Sequence, residues 1–280
     1  MFDFRYHALS LVAVFLALSI GLLLGVAIGD EGLVSSAENR VRDSLRGDVD
    51  KARAESRDLR REIAERKQLE DDLYPLLVEG RLSGYRIALV GLGGLPDTTI
   101  RAVRESLRET GGRLQAVAVV REPPPEDLAG GPTTDAALAQ RSGLQAGQLL
   151  LRPGAASRPL RRKVLDSSSG SLDGVNAVIL VRSAPDTSAP EAKVTEAFEV
   201  GLVDGLVDSN ATVVGVEETG TKPSQIGWYK DRRLASVDNV DQLPGRAALV
   251  LGLGGASGAF GVKDTAQALL PKTAGAAATR

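Results

Sequence analysis

The chain has 280 residues, with 34 Lys and Arg against 36 Asp and Glu, so its formal net charge is −2 and it presents no global field for nucleic acid. It contains no cysteine, one histidine (His7) and one methionine (Met1), which removes disulfides, thiolate chemistry and nearly every soft metal ligand, and leaves no Ser-His-Asp or Cys-His unit beyond residue 7. A 43% share of hydrophobic residues suffices for a core, while 4% aromatics are too few for the two girdles of a membrane barrel.

From Ala8 to Ile28 runs a stretch of 21 uncharged residues, long enough as a helix to cross a hydrocarbon core of about 30 Å. The expectation is an N-terminal transmembrane anchor over residues 1–29. A cleaved signal peptide is the alternative, with Ala27-Ile28-Gly29 as its cutting site, but its apolar region would extend only ~7–15 residues. Arg5 and the α-amino group precede the span and Asp30 and Glu31 follow it, which favours a cytoplasmic N-terminus and an extracytoplasmic body. Counting on to Arg40, Arg42 and Arg46 reverses that tally, so the nearest residues carry the assignment. Within the span Ala13, Ala17, Gly21, Gly25 and Gly29 recur every fourth residue, a small-residue stripe suited to close helix association.

Residues 30–83 read as a coiled-coil stalk. Between residues 30 and 79 there are 14 acidic and 10 basic side chains, too many charges to bury a core alone. The apolar residues Leu45, Val49, Ala52, Leu59, Ile63, Leu73 and Leu77 nevertheless fall on a 3-4 pattern, with Ser56, Arg66 and Glu70 at the intervening seam positions. Leu59 and Ile63 are the expected anchors. Glu38 with Arg42 and Glu62 with Arg66 have the favourable i,i+4 order, whereas Gly47 weakens the helix, Pro75 bends or ends it, and Gly80 punctuates its end.

Residues 84–270 read as a small doubly wound, Rossmann-like α/β domain, followed by a disordered tail over 271–280. Strands are expected at Arg86 to Val90, Leu114 to Val120, Ala177 to Val181 and Thr212 to Val216, with helices over Thr98 to Thr110 and from about Pro190 to Val207. Glu122-Pro123-Pro124-Pro125, Gly130-Gly131-Pro132 and Ser167-Ser168-Ser169-Gly170 mark exposed connections. The cluster Arg158, Arg161, Arg162 and Lys163 reads as a solvated face, and Asp241 with Pro244 as a helix start ahead of Gly252-Leu253-Gly254-Gly255.

Gly91-Leu92-Gly93-Gly94-Leu95-Pro96 lies where a dinucleotide fold places its phosphate loop, but Pro96 occupies the third glycine position and no acidic residue follows at the expected offset. A tight strand-to-helix turn is the expected role. Glu217-Glu218 reads as a pair of exposed turn carboxylates. No catalytic, cofactor-binding or metal-ligating residue is assigned.

The opening Met1-Phe2-Asp3-Phe4-Arg5-Tyr6-His7, running into the glycine-rich span, resembles the MctB-type copper transport family of actinobacterial cell envelopes, whose members are also called SteB. Gly227-Trp228-Tyr229, Ser236-Val237-Asp238-Asn239-Val240-Asp241, and Phe260-Gly261-Val262-Lys263 leading to Ala268-Leu269-Leu270-Pro271 are similar to that family's closing segments. The resemblance implies a membrane-anchored envelope protein of copper efflux or tolerance, sometimes described as channel-forming. It also implies an alternative: a coiled-coil scaffold beside a SteA-like partner in cell division and peptidoglycan-hydrolase control. Copper chemistry fits the chain poorly, because reduced copper prefers thiolate and thioether ligands and oxidised copper imidazole. The expectation is therefore a non-enzymatic protein that binds the lipid bilayer, pairs as a parallel homodimer or with a SteA-like membrane partner, and engages no nucleic acid.

Overall fold

A computed structural model describes residues 4–29, 32–125, 128, 135–184 and 191–272. The chain divides into two compact units, Met1–Lys67 and Gln68–Arg280.

In the first unit, helix α1 covers Phe4–Gly29, and Arg5–Ala27 within it is long and apolar enough to cross a membrane. Helix α2 covers Gly32–Val78, so its last turns belong to the second unit. Pro75 does not end α2. The helix continues to Val78, and Gly80, with φ of 67°, takes the left-handed turn that stops it. Val78 and Leu82 are fully buried, so the core of the body begins before residue 84.

The second unit is a layered α/β body. Its strands are β1 (Arg86–Leu92), β2 (Arg113–Val120), β3 (Leu165–Gly170), β4 (Ala177–Arg182), β5 (Thr212–Val216), β6 (Ala235–Val237) and β7 (Ala259–Phe260). They form one sheet in the order β3-β2-β1-β4-β5-β6-β7, parallel throughout except between β2 and β3. The helices are α3 (Asp97–Ser106), α4 (Ala136–Leu150), α5 (Arg158–Val164), α6 (Ala192–Asp208), α7 (Ile226–Asp231) and α8 (Leu243–Leu253). Alternate residues of β1 feed two cores: Ala88, Val90 and Leu92 pack with α4, α6 and α7, while Ile87 and Leu89 pack with α3 and α8. Burial on both faces explains why the inner strands are continuous apolar runs.

Helices α4 and α6 cross at glycines. A Cβ on Gly143 would overlap the Phe198 carbonyl, on Gly147 that of Leu202, on Gly201 that of Gln140 and on Gly205 that of Leu144. Backbone therefore meets backbone along two glycine steps, each four residues long.

Several expectations are corrected. Ser167-Ser168-Ser169-Gly170 is no connection but most of β3, an edge strand whose exposed serines carry no apolar alternation. The helix after the glycine loop stops at Ser106, where a turn leads to Glu109, itself at φ 65°. The helix start expected at Asp241 and Pro244 is present, since α8 begins at Leu243 with Pro244 in its first turn, but the Asp241 carboxylate is turned to Thr219 instead, accepting from its N at 2.7 Å and its Oγ1 at 3.0 Å. Arg161 is half-buried, pairing with Asp173 at 2.8 Å and donating to the Leu150 and Arg152 carbonyls. Gly130-Gly131-Pro132, the tail from residue 273, and the flanking Asp30 and Glu31 lie outside the described residues, as does the side chain of Glu38.

Candidate functional site

The residues singled out on the helices are placed as follows. Ala13, Ala17, Gly21 and Gly25 lie on exposed α1, and a Cβ on Gly21 or Gly25 would meet nothing within 4 Å. Gly29 ends the α1 backbone, and its surroundings are outside the described residues. On α2, Leu59 and Ile63 stand 58% and 64% exposed, so neither is covered within one chain. Glu62 and Arg66 form the expected pair at 2.7 Å.

In the body, polar chemistry gathers at the carboxyl ends of the strands, where the strand order reverses between β1 and β4. Open α/β sheets place ligand sites at such a point. Arg182 closes β4, is buried, and donates from Nε and Nη2 to Glu199 Oε2 at 2.9 and 2.8 Å and from Nη1 to Gln225 Oε1. Its guanidinium lies 4.6 Å from the centre of the Trp228 ring, and Arg232 lies 3.7 Å from that ring. The Tyr229 hydroxyl accepts from Arg182 N at 2.9 Å, and its ring occupies space that only a glycine at 215 leaves free. Burial pushes the Tyr229 hydroxyl pKa up.

Burial also pushes the Glu199 carboxyl up to about 8, against the attraction of Arg182 and reinforced by a hydrogen bond and like charge from Glu122 at the exit of β2. Glu122 explains the glycine loop. Gly93 has φ of 81°, and a Cβ there would lie 2.6 Å from Glu122 Oε2 and 3.2 Å from Ser183 Cβ. At the N-terminus of α3, Glu218 Oε1 accepts from Thr98 and Thr99 hydroxyls, each at 2.6 Å. Both positions where a nucleotide phosphate would be held thus face carboxylates of the chain itself.

Glu217 is not an exposed turn residue. It is buried, and accepts from Ser224 Oγ, Gln225 N and Lys263 Nζ, each at 2.6 Å. Lys263 also donates to the Glu218 and Thr221 carbonyls, so its ammonium is spent fastening the 217–225 loop. Asp238 in turn accepts from the Val262 and Lys263 amides at 2.8 and 2.9 Å. The three closing segments noted in the sequence therefore meet around one cluster. Arg182 and Glu199 were not singled out from sequence, and Lys263 was noted only as part of a closing segment. Two signals were present: an arginine ending an otherwise apolar strand, and an acid on the apolar stripe Glu199, Leu202, Val203, Leu206. Among the described residues no three His, Cys, Asp or Glu side chains form a group able to hold a metal ion.

The family model described as "Copper transport outer membrane protein, MctB" matches residues 1–123 and 123–271. The chain belongs to the MctB family. Curated relatives named "Copper transporter MctB", from Mycobacterium bovis and Mycobacterium tuberculosis, are 29% identical over 116 residues, which is 41% of this chain. The aligned part spans 37% of the length of those relatives.

Proposed function

We propose that this protein is a membrane-anchored, non-enzymatic component of copper transport, with α1 as its single span, the body outside the cytoplasm, and copper movement in the efflux direction. The observation that carries this reading is the family match from residue 1 to residue 271 in a chain whose Arg5–Ala27 segment is long and apolar enough to cross a bilayer. In this reading the body does not relay copper, since the chain offers no thiol and only one imidazole and one thioether, both within residues 1–7. Copper passes through, or is controlled by, an assembly that the small residues of α1 and a coiled coil along α2 bring together. The strand-end cluster serves that assembly as a rigid scaffold. Arg182, Lys263 and the Ser224 hydroxyl are spent on internal acceptors.

The test is fractionation of the full chain and of residues 30–280, combined with calorimetry of the detergent-purified full chain against copper. The reading expects membrane retention of the full chain alone and no micromolar copper isotherm that depends on residues of the body. Retention of the truncated chain, or a 1:1 isotherm surviving loss of His7, would count against it.

A further inference from the structure

We propose that α2 pairs with a second copy of this chain, parallel and in register, and that the charges flanking its seam dictate that orientation. This deepens the reading of α2 as an assembly helix and rests on it. Between residues 45 and 67, all within the first unit, seam spacing alternates four and three. Val49, Ser56 and Ile63 thereby take heptad position a, and Leu45, Ala52, Leu59 and Arg66 take d. Leu45, Val49, Leu59 and Ile63 are 59%, 46%, 58% and 64% exposed, so the seam is uncovered in the single chain.

The flanks decide what covers it. Position g is occupied by Asp48, Glu55 and Glu62, and position e by Arg46, Arg53, Arg60 and Lys67. One flank is wholly acidic and the other wholly basic. In a parallel pair each g residue faces the e residue five positions on in the other helix. Asp48 then meets Arg53 of the second copy, Glu55 meets Arg60, and Glu62 meets Lys67, three opposite-charge contacts repeated by the two-fold symmetry. An antiparallel pair sets g against g and e against e, so acid faces acid and base faces base. One seam thus matches itself in one orientation and repels itself in the other. In register Ser56 faces its own copy, a polar layer matched to itself, and Arg66 faces Arg66, a like-charge cost that the three g–e contacts offset. Existing contacts do not compete strongly, because the intrahelical pairs Arg53–Asp50 at 3.8 Å and Arg66–Glu62 at 2.7 Å are exposed.

The chain has no cysteine, so single cysteines report pairing without background. Val49→Cys, Ser56→Cys and Ile63→Cys are expressed separately in the full chain, in membranes, and oxidised. Parallel in-register pairing gives a disulfide-linked dimer from all three; dimers from only one position, or from none, overturn the proposal. In the Ser56→Cys background, one copy carries Arg53→Glu, Arg60→Glu and Lys67→Glu, and a differently tagged copy carries Asp48→Lys, Glu55→Lys and Glu62→Lys. Each alone should lose at least five-fold in dimer yield, and co-expression should restore a mixed dimer. Yields indifferent to these reversals overturn the proposal. Membrane retention and cell copper, measured on the same samples, report the functional reading separately: their failure with intact disulfides removes that reading and leaves the pairing.

Discussion

Arg182 donates twice to a single oxygen of Glu199, a carboxyl that also hydrogen-bonds Glu122. The pair is buried on both sides, and it links β4 to α6 beneath the glycine loop. Removing Glu199 leaves the buried Arg182 guanidinium with two donors unmet where water cannot reach them. Glu199→Ala should therefore destabilise the body by about 3–5 kcal/mol, whereas an exposed control such as Glu62→Ala should change it by less than about 1 kcal/mol. Denaturant unfolding of both variants checks this.

The same carboxyl makes stability depend on pH. Its folded value of about 8 lies above the ordinary carboxylate value of 4.5, so between those limits the folded chain keeps a proton that the unfolded chain has released. Stability contributed by Glu199 is fully present at low pH and is lost as pH rises through about 8. The groups facing it are Arg182 from β4 and Glu122 from the β2 exit. Glu199→Gln should flatten the fall in Tm between pH 4.5 and about 8, and Glu122→Gln should bring the upper end of the fall to lower pH. A Glu199→Gln variant whose Tm still falls as steeply as wild type would contradict the assignment.

Glycines on two helices should respond oppositely to alanine. At Gly201 an added Cβ collides with the Gln140 backbone, so Gly201→Ala should cost about 3 kcal/mol or more. At Gly47 it meets nothing within 4 Å, and Gly47→Ala should raise helix stability by about 1 kcal/mol. Melting followed by circular dichroism separates the two signs.

Replacing Gly21 and Gly25 by Leu should leave α1 apolar enough to insert but block close helix approach. Crosslinking within α1 in membranes is the measurement, with a fall of several-fold expected and an unchanged yield counting against the stripe.

The inner strands β1, β4 and β5 were legible because burial on both faces writes an apolar run into the sequence, and β2, buried on one face and half-buried on the other, carries a nearly continuous one. Strand β3 was not, since an edge strand of Asp166 and three exposed serines has no such mark. The α4–α6 crossing was hidden for a different reason: glycine inside a helix reads as a weakness until a neighbouring backbone is seen against it. Glu217 and Asp238 sit in loop-like stretches, and what makes them structural is the distant turn around Val262 and Lys263. Contacts across that sequence separation leave no local pattern. The seam of α2 is the converse case, because its 3-4 spacing is local and needs no partner to be read.

The most direct measurement is the copper content of cells that lack this chain, complemented with the full chain, with residues 30–280, or with an empty vector, under copper load. Membrane-anchored efflux predicts low copper with the full chain and equally raised copper with the truncated chain and the empty vector. Equal copper in all three would contradict the proposed function.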